Sequence, residues 1–197
     1  MGRRAVPRDE RHAQLKDVAR ELVKSNGVAA LTMTALAEAS GAAKPVVYSH
    51  FKNREAVAIA LIDDHFQSAI NYVLRRVADA TNLEEHLTKL IESAIEYEIA
   101  SDSLIRKITN GFSSSEVLNE VYKVHQANFR KMYKELLEEQ SVPEDIAEIA
   151  SHGLSGLLDQ YLQEYANNSN TPKVRAVIKS MLLASINSLE RVPTAIC

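Results

Sequence analysis

Apolar positions along the chain recur at helical spacing, and no stretch keeps the two-residue alternation of a half-buried strand. Leu15, Val18, Ala19, Leu22 and Val23 share one helix face, and Asn26-Gly27 ends that helix, since glycine tolerates the left-handed closing position. Two short helices are predicted over 32–40 and 44–50. A long helix starts at Arg54 behind Asn53 as N-cap and carries Val57, Leu61, Ile62, Phe66, Ala69, Ile70, Val73 and Val77. After Thr81-Asn82 a new stripe runs through Leu87, Leu90, Ile91, Ala94, Ile95 and Ile99. A short helix over 104–109 ends at a break, Asn110-Gly111. Leu118, Val121, Tyr122, His125, Phe129, Met132, Tyr133 and Leu136 then mark a second long helix. The break Ser141-Val142-Pro143-Glu144 starts another, with Ile146, Ile149, Ala150, Gly153, Leu154, Leu157, Tyr161 and Leu162 on one face. A polar loop over 167–171 leads to Pro172 and a last helix with Val174, Val177, Ile178, Met181, Leu182, Ser185 and Leu189. The pattern predicts an all-α chain of about nine helices, without internal repeats.

Charge divides this pattern in two. Residues 1–54 hold 10 Lys and Arg against 5 Asp and Glu, whereas the remainder holds 13 against 21, so the net charge of −3 hides a basic end on an acidic body. Such an end either faces a polyanion or is merely solvated. We therefore expect an N-terminal helix-turn-helix domain over 1–54 and a C-terminal helical bundle over 55–197. Cys197 alone cannot form a disulfide within the chain. No N-terminal apolar segment resembles a signal peptide, and no apolar run reaches the roughly 20 residues of a membrane span. The expected location is cytoplasmic, with no membrane partner.

The informative stretch is 31–51, Leu-Thr-Met-Thr-Ala-Leu-Ala-Glu-Ala-Ser-Gly-Ala-Ala-Lys-Pro-Val-Val-Tyr-Ser-His-Phe. Two helices that cross tightly need a small residue at the crossing and a turn residue that accepts positive φ. Ala37 and Gly41 meet these needs, Leu36 and Val47 supply a miniature core, and Thr32 can cap the first helix. The second helix would present Lys44, Pro45 and Val46 to a major groove, Lys44 to guanine and the other two to a thymine methyl. Tyr48, His50 and Arg54 could reach phosphates, although Tyr48 could equally pack and His50 could be an ordinary surface histidine. Phe51 reads as core. The arm with Arg3, Arg4, Arg8 and Arg11 could enter a minor groove.

Residues 27–57 resemble, without a gap, the DNA-binding signature of the TetR (tetracycline repressor-like) family. The resemblance rests on Thr32, on Leu36-Ala37 with Gly41, and on Tyr48-x-His50-Phe51-Lys52-Asn53-Arg54-Glu55. It implies a three-helix DNA-binding domain joined by a fourth helix to a larger domain for ligand binding and dimerisation. Carried over, it makes Thr32, Thr34, Tyr48, His50 and Arg54 backbone-positioning residues and Lys44, Pro45 and Val46 base-facing ones. Many relatives carry a hydroxyl residue where this chain has Ala43 and Val46, so readout here leans on Lys44, methyl contacts and DNA shape.

The last two predicted helices form the expected dimer pair, because Gly153, Ser155 and Gly156 permit close helix approach. A dimer would hold its reading helices about 34–36 Å apart over a near-palindromic operator. Phe66, Ile70, Ile95, Phe112, His125, Phe129, Tyr133 and Tyr161 are candidates for a pocket taking a small apolar or amphipathic effector, with core packing as the competing reading. No cofactor is expected. No phosphate-binding loop, nucleophile elbow or zinc-protease motif occurs, and no Glu-x-x-His pair. The expected function is a ligand-responsive repressor, the alternatives being an architectural DNA-binding protein and, more remotely, a helical enzyme.

Overall fold

The computed structural model describes residues 7–165 together with 176, 177, 180, 181 and 184. Pro7 precedes helix α1 (Arg8–Asn26), whose first turn carries Asp9 and Glu10 and whose last carries Lys24, the charge order that suits a helix dipole. Gly27, at φ 75°, turns the chain into a single 3-10 turn, Val28–Ala30. Thr32 then caps α2 (Met33–Ser40), its hydroxyl accepting from the Ala35 N–H at 3.0 Å. Gly41, at φ 64°, closes α2 in the left-handed conformation. Helix α3 (Lys44–His50) follows, and the Asn53 side chain accepts from the Ala56 N–H at 2.8 Å to start α4 (Arg54–Val77).

Asn82 caps α5 (Leu83–Ala100) by accepting from Glu85 N–H at 2.9 Å. Then come α6 (Leu104–Gly111), α7 (Glu116–Glu139) and α8 (Glu144–Tyr165). Among the described residues there is no strand. The helix expected from Pro172 lies outside the described residues, apart from 176, 177, 180, 181 and 184, which are helical.

The chain forms two compact units that interleave along it. One holds residues up to Phe66 together with Leu104–Tyr122, and the other holds Gln67–Ser103 together with the chain from Lys123 onward. The first unit contains the start of α4 and all of α6 besides α1–α3. Its core joins Leu15, Ala19 and Val23 of α1 to Leu36, Val47, Phe51, Leu61 and Ile62, and to Leu104 and Ile108 of α6.

Helix α6 runs through Asn110 and ends at Gly111, at the expected break. Gly111, the last residue of α6, also serves close packing. A Cβ there would lie 2.0 Å from Cγ1 of Val28, so only glycine lets α6 approach the 3-10 turn this closely.

The second unit is built on longer helices. Val73 and Val77 of α4, Leu90, Ile91 and Ile95 of α5, Met132, Tyr133 and Leu136 of α7, and Leu154, Leu158 and Tyr161 of α8 share one core. A smaller cluster of Leu87, Leu137, Ala147 and Ala150 adjoins α8's first turns. Here α8 departs from expectation. Ala150, Leu154 and Tyr161 are buried, but Ile149 is 64% and Leu157 42% exposed, with Gly153 and Gly156 also exposed. Two apolar faces, not one, run along this helix.

Candidate nucleic-acid interface

The α2–α3 crossing begins with local chemistry. Ala37 is 4% exposed and Leu36 and Val47 are fully buried, so the two helices meet through a small residue and two aliphatic ones. Gly41 supplies the left-handed turn between them, and the Ala42 N–H donates to the Ala37 carbonyl at 3.2 Å. Ala43 occupies the α3 N-cap without a side-chain bond, as the absence of a hydroxyl there requires. Pro45 sits in the first turn of α3, where its missing N–H leaves no helical bond unmade.

With Val47 pinned inward, the residues around it turn outward. Lys44, Pro45, Val46, Tyr48 and Ser49 are all exposed, Val46 at 37% and Tyr48 at 54%. An exposed valine and tyrosine on a seven-residue helix, beside a free-standing lysine side chain, form a face that the fold itself does not use. Thr32 and Thr34, at the start of α2, are also exposed. Phe51 is buried at 4%, which settles its role as core.

Two residues sit differently from the expectation of simple outward contacts. Arg54 turns into the fold: its Nη2 donates to the Val28 carbonyl at 2.9 Å, and its guanidinium lies 4.5 Å over the Phe112 ring. Its Nε is buried without a partner. The guanidinium thus ties the start of α4 to the 3-10 turn and the end of α6, and the neighbouring Glu55 accepts from the Ser115 hydroxyl in the same region. His50 is half-buried because its ring meets His12 of α1, with ring centroids 5.6 Å apart. Burial holds the His50 imidazole below its ordinary range, and His12, Arg8 and Arg11 push it the same way.

His12 carries no motif signal. Its partner is 38 positions away, and only the α1–α3 packing brings the two rings together. Lys16 and Arg20, one and two turns further along α1, are held by Asp64 of α4 and so brace α1 against the long helix.

The proposed effector residues do not fall in one cluster. Phe66 and Phe112 pack against the first unit's core, Phe66 beside Tyr122 and Phe112 beneath Arg54. Ile70, Ile95, Phe129, Tyr133 and Tyr161 belong to the second unit's core, where Ile95, Tyr133 and Tyr161 are buried to 3–4%. Burial raises the Tyr133 hydroxyl well above the usual phenol range, and the nearby Asp159 adds to it. His125 is half-buried on α7. Among the described residues no group of three or more metal-ligating side chains occurs, and no helix is long and apolar enough to cross a membrane.

Residues 15–61 match the model of the tetR family of bacterial regulatory proteins, a span that runs from α1 through the start of α4. Over 92 residues the chain is 28% identical to the HTH-type transcriptional activator FasR of Mycolicibacterium smegmatis, a match covering 47% of this chain and 42% of that protein. The chain thus spans well under half the length of that relative. A transcriptional regulator from Pseudomonas aeruginosa PAO1 shares the fold at a TM-score of 0.75 and 16% identity, over 94% of this chain and 95% of that one. The fatty acid degradation regulator FadR from Bacillus halodurans does so at 0.64 and 17%, over 95% and 96%. The α1–α4 region thus matches the tetR family of bacterial regulatory proteins, and the chain shares its fold with solved regulators along nearly its whole length.

Proposed function

We propose that the protein is a cytoplasmic, dimeric transcriptional regulator that binds a near-palindromic operator through α3 and acts by binding, not by catalysis. One observation carries this reading: the exposed face of Lys44, Pro45, Val46 and Tyr48 stands on a helix whose inward residue, Val47, is fully buried. That anchoring gives a short helix the rigidity needed to enter a major groove. Lys44 reads a guanine edge, Pro45 and Val46 meet methyl groups, and Thr32, Thr34 and Tyr48 hold the phosphate backbone. Arg54 takes part by fixing the position of α4 and α6 within the same unit.

The division of labour follows the expectation from sequence, with residues 1–54 reading DNA and 55–197 serving dimerisation and input. The exposed α8 face of Ile149, Gly153, Gly156 and Leu157 supports the dimer, since glycines on an apolar face let a second helix approach closely. Val177 and Met181 are also exposed, at 50% and 54%. Sedimentation should show a dimer that Ile149→Glu converts to monomer; a wild-type monomer would remove this part of the reading. A small apolar effector that prefers the unit lined by Ile70, Ile95, Phe129 and Tyr133 in one arrangement would lower operator affinity by that preference and no more. We assign repression as the output. A promoter assay reads its sign directly, and the FasR relative is an activator.

The decisive experiment is selection of bound sequences from random duplexes by wild type and by Lys44→Ala. The variant should relax base preference at one position of each half-site by about 1–3 kcal/mol. Equal weakening on every sequence would reassign Lys44 to the backbone, and no selected sequence at all would end the operator reading.

A further inference from the structure

The ring of His12 lies against two residues at the far end of α3, 5.6 Å from the His50 ring and 4.6 Å from the Phe51 ring, measured between centroids. Phe51 is buried and fixed, so it holds His12 in register beside His50. Arg8 stands one helical turn before His12 on α1, and Arg11 adjoins it. These three residues are the charges that act on His50, and all three disfavour its protonation.

The acids on the packed helices do not relieve this. Asp9 and Glu10 of α1 and Glu38 of α2 are not among the charges that set the state of His50. Lys16, one turn beyond His12, is engaged by Asp64, and Lys52, two residues past His50, is exposed. Two imidazoles and two guanidiniums therefore converge on one edge of the α1–α3 contact.

A cluster of this kind has a definite chemical complement. A neutral imidazole donates from one nitrogen only, whereas an imidazolium donates from both and forms the stronger, charge-assisted bond to an anion. A phosphodiester placed among these groups reverses the local field that keeps His50 neutral. The cluster is contiguous with the exposed α3 face, so the anion at hand is the backbone of the duplex that this face is proposed to read.

We propose that His12 and His50, with Arg8 and Arg11, form a site for a DNA backbone phosphate that takes up a proton from solvent as it fills. DNA binding by this protein then tightens as pH falls. The proposal rests on the DNA-binding reading above and adds to it a residue, His12, and a proton. With one proton taken up per site, affinity changes by up to about tenfold per pH unit at each site. The change is confined between the lowered titration range of the empty site and the raised range of the filled one.

Phosphate contacts are indifferent to sequence, so the test needs no operator. Sonicated mixed-sequence duplex DNA is titrated into the full chain at about 50 mM salt, from pH 5.5 to pH 8. Each titration is repeated in two buffers of different ionisation enthalpy, so that proton uptake is counted directly. The wild type should bind several-fold more tightly with each unit of acidification and take up protons, and His12→Gln and His50→Gln should each flatten the profile. Binding without proton uptake, or a pH profile preserved in both variants, overturns the proposal and leaves the DNA-binding reading in place. Failure of the wild type to bind duplex at any pH overturns both. Should either variant fail to fold, as circular dichroism would show, the wild-type proton count alone decides.

Discussion

The two units solve the same problem, reversing a chain between helices, with different residues. In the first unit the left-handed positions are glycines, Gly27 at φ 75° and Gly41 at φ 64°. In the second, among the described residues, they are Asp102 at φ 55°, Ser103 at φ 51° and Ser141 at φ 65°. Residues with a side chain are strained there by roughly 1–2 kcal/mol each, a strain that glycine escapes. Ser103 is also 1% exposed, and its hydroxyl is buried without a partner. The first unit packs the short helices α2, α3 and α6 against α1 in a geometry that must be held closely, and its turns are relaxed. The second relies on helices of 18–24 residues, whose broad apolar faces outweigh strain at their ends.

The two units also differ in what they leave outside. Val46 and Tyr48 are exposed on α3, a helix that Lys44 opens and Lys52 follows, as a surface for a polyanion requires. Ile149 and Leu157, exposed on α8, flank glycines, as a surface for another helix requires.

The sharpest way to break the contrast is to add a side chain where the first unit admits none. Gly111→Ala should lower stability by about 1–3 kcal/mol, because the new Cβ meets the stiff, branched Val28. Combining it with Val28→Ala should restore part of the loss. Urea unfolding of the single and double variants gives the coupling, and additive losses would show that the contact is not the cause.

A smaller effect belongs to the second unit and to acid. His86 of α5 is 5% exposed with its Nε2 unpartnered, and burial lowers its proton affinity against the opposing pull of Glu139. The unfolded chain therefore binds this proton more readily than the folded one. Stability from His86 is complete above about pH 6.5, the ordinary imidazole value, and falls below it by at most about 1.4 kcal/mol per pH unit. Thermal unfolding followed from pH 7.5 to pH 5 should show this slope reduced in His86→Leu. An unchanged slope would place the acid sensitivity elsewhere.

The smallest effect tests the turns themselves. Ser141→Gly should raise stability by at most about 1 kcal/mol, the strain relieved less the entropy glycine adds to the unfolded chain. A decrease would show that the serine side chain contributes more than its conformation costs.

Much of the architecture is legible from residue types because the forces that place it are local. The Thr32 and Asn53 caps, the Gly41 turn, the inward Leu36, Val47 and Phe51, and the start of α4 each depend on neighbours within about one or two turns, which the sequence displays directly. The Leu-Ala-x-x-x-Gly spacing is therefore as readable in the chain as in the fold. Other features depend on residues far apart. Gly111 reads only as a helix end until Val28 is seen against it, and Arg54 looks like a phosphate ligand until its guanidinium is found over Phe112. An apolar stripe on α8 reads as one face until burial separates Ala150 and Leu154 from Ile149 and Leu157.

By itself the sequence determined the helices, their caps and the helix-turn-helix motif, because each arises from contacts a few residues long. The tertiary structure alone decided which side chains share a core, which glycine is for packing and which histidines meet. Those outcomes depend on distances between segments dozens of residues apart, and no local periodicity encodes such distances.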